Sequence, residues 1–511
     1  MSSNKTIAKN TLFLYVRMMF TMLVALYPSR VILHVLGIDD YGIYQTVGGV
    51  VLLLSFLNGA LSAGSSRFLT YELGKGDFDK LQKTFSTVLS IHIILAVLIL
   101  LIAETVGVWF IYNKLVIPPE RMEAAVFAYH LSILTAIVSI TQIPYNASII
   151  SHERMSIYAY LSIIEVTLKL GVVYLLIISN WDKLKVYALL ICIVQISVAL
   201  FYRFYCTHHF NETKYRLNFD RSIMKQVLSY SGWNIFANMS IAITTQGAII
   251  LINMFFSPII VTARAIADQV NMAANQFVQN FRIAVNPQIV KLYAVENHER
   301  SKQLLLASTK YSYYMMLALC LPICLSAEPL LKLWLGIIPE YTVIFLQIAV
   351  VTSLFQVFDT SFYTALYAKG QIRENAIISP LVLFMAFPIV YILFRLGYSP
   401  ESLAWVMLAC YAILGLLVKP MLLIKIVDYK KKDIVNTFIP CLKVTFVAVP
   451  LPCLLYYYRD VLFPNGIIHL LLLSSICIAC VGLSVWFTGL DKEMKAILLL
   501  FVKRRFKHLR A

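Results

Sequence analysis

Fourteen stretches of about twenty or more mostly apolar residues recur along this chain, divided by short polar connections. That recurrence restricts the fold more than any motif does. About 20 apolar residues is the length that carries a helix across the hydrocarbon of a bilayer, and only a helix or a closed barrel satisfies its own backbone there. The runs are Lys9–Leu36, Tyr41–Thr70, Leu81–Tyr112, Arg121–Ile150, Ser156–Ser179, Leu184–Cys206, Gln226–Phe256, Pro258–Ala294, Lys302–Leu335, Glu340–Ala368, Ala376–Leu396, Ser402–Ile426, Ile434–Tyr458 and Gly466–Phe487. The second and the eighth are the least apolar. Of the 511 residues 60% are hydrophobic and 14% charged, where a soluble chain holds roughly 45–50% and 25%. One core cannot hide such a surplus. The expected fold is all-α, a polytopic membrane protein of about 14 transmembrane helices.

The formal charge of +17 invites a nucleic-acid reading, but its distribution is topological. With the N-terminus placed in the cytoplasm, 29 Lys and Arg residues fall inside, 7 outside and 7 within spans. That split follows the positive-inside rule and calls for an even number of spans with both termini cytoplasmic. Lys419, near the end of the twelfth run, is sorted to the inside. The tail from Lys492 to Arg510, interleaved with Ile497, Leu500, Phe501 and Phe506, suits an interfacial helix on anionic lipid. Membrane lipids, and no nucleic acid, are the expected partners of this charge. The start, Met1 to Asn10, leads into an apolar run without a small-residue cleavage signal and reads as a first span. The nine cysteines lie mostly in apolar runs, Cys477-x-x-Cys480 included, and read as small hydrophobes that imply no metal or cofactor.

The chain also repeats itself. Pro144-Tyr145-Asn146-Ala147 echoes Phe362-Tyr363-Thr364-Ala365 at an offset of 218, and Pro119-Glu120 echoes Pro339-Glu340 at 220. Val173-Tyr174-Leu175-Leu176 echoes Val390-Tyr391-Ile392-Leu393 at 217. Six spans therefore match the next six, and an even number keeps both halves the same way up. A parallel repeat of this kind predicts a pathway between two bundles. The expected division is an N-terminal six-helix bundle over 1–206, a cytoplasmic linker over 207–225, a C-terminal six-helix bundle over 226–426, and two extra spans with a basic cytoplasmic tail over 427–511.

Candidate transport residues are polar groups that hydrocarbon would not tolerate alone. In the eighth run Arg264, Asp268, Asn271, Asn275, Gln279 and Arg282 are spaced 4, 3, 4, 4 and 3 apart, which places them on one helical face. Eighteen residues separate the first from the last, about 27 Å at 1.5 Å per residue, nearly a hydrocarbon thickness. Such a stripe lines either a hydrated cavity or a polar seam against another helix. The second run carries a smaller-residue counterpart (Gln45, Gly48, Leu52, Ser55, Gly59, Ser62, Ser66) that fits close packing as well as a pathway. Arg17 and Arg30 flank Pro28 in the first run, where each either binds an anion or snorkels to its interface. Asn234, Asn238 and Thr245 of the seventh run are compatible with a facing wall. Glu165 stands four residues before Lys169, the spacing of a self-neutralising pair, and is the second ion-coupling candidate beside Asp359, which has no evident neighbour in the sequence. His92 and His130 read as structural.

These features, with the opening Asn10-Thr11-Leu12, the segment Leu33-His34-Val35-Leu36-Gly37-Ile38-Asp39-Asp40-Tyr41-Gly42-Ile43-Tyr44, the segment Ala63-Gly64-Ser65-Ser66-Arg67-Phe68 and the stretch Pro144 to Arg154, resemble the polysaccharide flippases of the multidrug/oligosaccharidyl-lipid/polysaccharide exporter superfamily. The likeness covers essentially the whole chain, on diffuse rather than catalytic motifs. It implies a bacterial inner-membrane flippase for undecaprenyl-pyrophosphate-linked oligosaccharide, working by alternating access beside polysaccharide polymerase machinery. It also implies arginines on the first spans of each half that hold the pyrophosphate, a place Arg17 and Arg264 match best and Arg30 and Arg282 less well. Guanidinium forks suit phosphate chemically.

Two other classes compete. A drug or cation exporter of the same fold should favour acidic cavity residues over arginines. A membrane polysaccharide polymerase or acyltransferase should lack the repeat and carry a sizeable outer loop or paired His and Asp. An ATP-driven pump is disfavoured because no Gly-x-x-x-x-Gly-Lys-Ser/Thr occurs.

Overall fold

The computed structural model describes residues 30–53, 56–152, 154–216, 220–228, 239, 242–371, 373–458, 466–491 and 495. Arg17, Asn234 and Asn238 lie outside the described residues. The described residues form these helices: α1 Ile38–Leu52, α2 Phe56–Lys75, α3 Phe78–Lys114, α4 Pro119–Ser151, α5 Met155–Ile178, α6 Lys183–His209, α7 Ile243–Phe255 and α8 Pro258–Ala294. There follow α9 His298–Leu325, α10 Ala327–Leu335, α11 Thr342–Lys369, α12 Arg373–Arg395, α13 Ser402–Val427, α14 Lys431–Tyr457 and α15 Gly466–Ser484. Among the described residues nine helical runs are long and apolar enough to cross a membrane, and no strand forms. The all-α polytopic fold is as the apolar runs require.

Helix ends follow local chemistry. Asp77 accepts a hydrogen bond from Lys80 N at 3.0 Å, Asp182 from Lys185 N at 3.0 Å and Asn297 from Arg300 N at 3.3 Å, each satisfying a backbone donor that the first turn leaves without a partner. Gly370, at φ 76°, ends α11 in the left-handed conformation that glycine adopts without strain. Outward faces are apolar: Ile178, Phe204, Phe446 and Phe487 are each 70–77% exposed, the reverse of a soluble surface.

The chain divides into two compact units, Met1–Ala265 with Phe394–Pro400, and Ile266–Leu393 with Glu401–Ala511. In the first, α4 is the spine, packed by α1, α2, α3 and α6. Its Tyr129 is fully buried and donates to the Ala103 carbonyl at 2.8 Å. Ala103 opens a π turn, Ala103–Gly107, within α3. Wider turns free a carbonyl, and low dielectric makes an unsatisfied one costly. A Cβ on Gly107 would lie 1.8 Å from the Tyr129 hydroxyl, so only glycine admits this bond. Near the start of α4, Arg121 forks between two carboxylates: Nε and Nη2 reach Asp40 at 2.8 and 2.6 Å, and Nη1 reaches Asp182 at 2.5 Å. One guanidinium thus fastens the first turns of α1 and α4 to the residue that caps α6.

In the second unit α9 and α11 pack centrally, with α14 and α15 against α9 and α13 against α11. Phe345 and Phe362 of α11 are wholly buried. The last two spans are bonded to α9: Tyr313 Oη and Thr445 Oγ1 are 2.9 Å apart, and Tyr314 donates to the Gly489 carbonyl at 3.2 Å.

Candidate functional site

The polar stripe of α8 divides by environment. Asn275 donates to Ser353 Oγ at 2.8 Å, and Ser353 donates to Asn271 Oδ1 at 2.7 Å. Two turns on, Arg282 is 7% exposed and donates to the Thr360 carbonyl and to Thr364 Oγ1, the latter at 3.3 Å. Thr364 in turn donates to Asn286 Oδ1 at 3.4 Å. Asn275 with Ser353, Arg282 with Thr360 and Asn286 with Thr364 share an offset of 78. A constant offset means α8 and α11 run the same way in fixed register. This part of the stripe forms the hydrogen-bonded seam that apolar surroundings favour between helices. Gln279 is exposed, while Arg264 and Asp268 are partly buried.

The seam leads to a second polar cluster, absent from the sequence reading. On α11, one turn separates Phe355 from Asp359; on α13, one turn separates Gly415 from Lys419. A Cβ on Gly415 would stand 2.6 Å from the Phe355 carbonyl oxygen, so glycine permits the two backbones to touch. One turn further along both helices, Lys419 Nζ lies 3.1 Å from Asp359 Oδ1. Lys419 also donates to Asn375 Oδ1 of α12, which accepts from Ser379 Oγ at 3.0 Å. The Tyr363 ring lies 5.5 Å from Nζ, within range of a cation–π contact. Lys419 is 2% exposed and directly follows the π turn Leu414–Val418. Such a turn shifts the face on which later residues emerge, and Pro420 asks for no backbone donor bond. Arg282 lies within electrostatic reach of Asp359.

Two statements made from sequence change here. Lys419, sorted to the inside by its nearness to the end of the twelfth run, lies within a helix that continues through Val427, because Met421–Ile424 continues the apolar run, and its side chain is buried against Asp359 rather than open to solvent. Asp359 does have a neighbour, sixty residues away in sequence and invisible to any local spacing rule. A lysine with apolar residues on both sides, inside a membrane-length run, is the signal that marks it.

The remaining candidates stand apart from this cluster. Arg30 is exposed and helical. Glu165 accepts from Lys169 Nζ at 2.5 Å within α5, the pair the spacing suggests, with side chains 31% and 44% exposed. In α1, a Cβ on Gly42 would lie 2.1 Å from the Pro258 carbonyl, whereas Gly48 has nothing within 4 Å, so close packing claims Gly42 and not Gly48. A cavity of about 890 Å³ opens at one end of the second unit, lined by Lys291, Arg300, Lys310, Tyr311, Asp433 and Asp491. Among the described residues no three His, Cys, Asp or Glu side chains gather to hold a metal.

No family model and no curated protein matches the sequence. Solved structures do match its fold. An inward-facing multidrug resistance MATE family transporter of the MOP superfamily superposes with a TM-score of 0.69 at 16% identity, over 80% of this chain and 96% of that one. The lipid II flippase MurJ, inward closed, superposes with a TM-score of 0.66 at 13% identity, over 91% and 98%. A MOP superfamily transporter from Pyrococcus furiosus, reported for the reverse polarity of its binding pocket, gives 0.51 at 15% identity over 80% and 96%. This chain therefore has the multi-pass membrane fold shared by a MATE family transporter and the lipid II flippase MurJ.

Proposed function

We propose that this protein is a flippase that carries an undecaprenyl-pyrophosphate-linked oligosaccharide across the bacterial inner membrane by alternating access, with both termini cytoplasmic. The observation that carries the reading is positive charge held inside membrane-length helices: Arg282 and Lys419 are buried, Lys419 beside the Asp359 carboxylate and Arg282 within electrostatic reach of it. Intramembrane charge of this kind is expensive and marks ion or substrate pathways, and an excess of cations suits an anionic head whose tail stays in lipid. The fold likeness to a lipid II flippase supports the same class of cargo.

On this reading Arg17 and Arg264 bind the phosphates, with Arg30, Asp268 and Gln279 as further polar contacts. Asn271, Asn275 and Arg282 hold α8 on α11 and keep the polar face in register. Surface export of the polysaccharide, with polymerase machinery downstream, is the process served. The double variant R17A/R264A should lose surface polysaccharide while remaining in the membrane; unchanged export would reject the phosphate role. A second reading, a drug or cation exporter, is favoured by the 0.69 superposition on a MATE family transporter. Drug susceptibility of a deletion strain separates the two, since a flippase leaves it unaltered apart from envelope effects that polysaccharide analysis reveals.

A further inference from the structure

The pocket around Lys419 Nζ is chemically a cation site with its cation already tethered. Asp359 supplies a carboxylate oxygen at 3.1 Å, Asn375 an amide oxygen, and Tyr363 the face of its ring at 5.5 Å. Ser379 donates to the same amide oxygen at 3.0 Å, which fixes the side chain with its acceptor toward Nζ. Carboxylate, amide carbonyl and π face are the donors that hold hard or weakly hydrated monovalent cations, and an ammonium is close in size to a potassium ion. Lys419 is 2% and Asn375 9% exposed, and the Asp359 side chain 18%.

We propose that Lys419 is a resident cation, occupying a position that would otherwise take a sodium or potassium ion, so that the second unit is held together without a metal ion at Asp359. The inference uses contacts within that unit alone and stands whichever substrate is carried. Its physical basis is that without Lys419 the Asp359 carboxylate keeps only the longer-range charge of Arg282, and a carboxylate that loses its direct partner in such surroundings is destabilising. The π turn before Lys419 and Gly415 one turn earlier aim a covalently bound ammonium at the place. A tethered charge needs no ion from solution. It also cannot leave, so a sodium or potassium gradient used in transport must act elsewhere.

The test is thermal stability of the purified full-length protein at fixed ionic strength, with sodium, potassium or choline as the only monovalent cation. Wild type should melt at the same temperature in all three. K419A should melt lower in choline and recover by about 3–5 °C in sodium or potassium, as an ion refills the vacated volume. K419A/D359N should show no such recovery. Should K419A fail to accumulate, K419M/D359N decides: removing both charges should restore accumulation to near wild type. The proposal is overturned if wild type itself is stabilised by sodium or potassium over choline, if K419A is indifferent to the cation, or if the paired variant accumulates no better than K419A.

Discussion

Lys419 Nζ and Asp359 Oδ1 stand 3.1 Å apart one helical turn beyond the point where Gly415 lies against the Phe355 carbonyl, and the first contact depends on the second. A Cβ at residue 415 would come within 2.6 Å of that carbonyl oxygen, a distance that only a backbone shift relieves. Overpacking of this kind costs about 1–3 kcal/mol, and the shift would draw the ammonium from its carboxylate. G415A should therefore lower the melting temperature in detergent, and G415V should lower it further. Gly482 of α15 is the control, because its Cβ would meet nothing within 4 Å. G482A should be neutral or slightly stabilising through helix propensity. Equal effects at both positions would show that the approach of α11 and α13 is not tightly set.

The α8–α11 seam makes a different prediction, about coupling. Ser353 both accepts from Asn275 and donates to Asn271, and Asn275 also donates to the Asn271 carbonyl at 3.0 Å, so the three side chains share one network and each loss weakens the bonds that the others keep. In a double-mutant cycle of N275A and S353A, the two losses should be non-additive. The coupling should be about 0.6 kcal/mol and at most about 1.7, the range for interhelical hydrogen bonds in membranes. Unfolding in mixed micelles measures it, and strict additivity would mean that the serine and the asparagine act separately.

Helix existence was legible from the sequence because hydrocarbon thickness sets a length that apolar runs must meet. The eighth run coincides with α8, Pro258–Ala294, although its polar stripe makes it one of the weakest by hydropathy. The destination of the stripe was not legible. Its 3,4 spacing defines a face and not what that face meets, and the answer depends on Ser353, Thr360 and Thr364, about 80 residues downstream. The partner of Lys419 was not legible for a related reason: a positive-inside count assigns a lysine to a side by nearness to a run's end, whereas the π turn Leu414–Val418 and the Gly415 contact decide where it points. Tertiary approach, rather than periodicity, carries that information.

Glu165 and Lys169 of α5 are 2.5 Å apart and only partly covered, 31% and 44% exposed. Each neutralises the other in a helix of membrane length. Removing one leaves a charge whose cost at the centre of a span is about 2.5–3.5 kcal/mol on insertion scales. E165Q and K169M should each reduce the amount of folded protein in membranes more than the E165Q/K169M pair does. If the pair variant also keeps full polysaccharide export, Glu165 has no part in ion coupling.

The Arg121 clasp predicts a response to acid. Burial pushes the Asp182 carboxyl up, but the hydrogen bond from Arg121, the Lys185 backbone N–H and the charges of Arg121 and Lys185 outweigh it and leave the group below its ordinary value of 3.8. Asp40 goes the other way: burial outweighs the hydrogen bond and charge of Arg121 and raises it. The signs follow by linkage. A lowered carboxyl contributes stability that is fully present above 3.8 and is lost as the pH falls through its folded value. A raised carboxyl loses nothing on that descent, since its protonation relieves a burial cost. D182N keeps a side-chain oxygen to cap α6, as asparagine and aspartate cap about equally, and so removes the charge alone. It should cost about 1 kcal/mol at neutral pH, and D40N should cost less. Between about pH 5 and pH 3 the melting temperature should fall less in D182N than in wild type, because the variant has no Asp182 charge to lose. A parallel acid profile for wild type and D182N would mean that the clasp is held by Asp40 and not by Asp182.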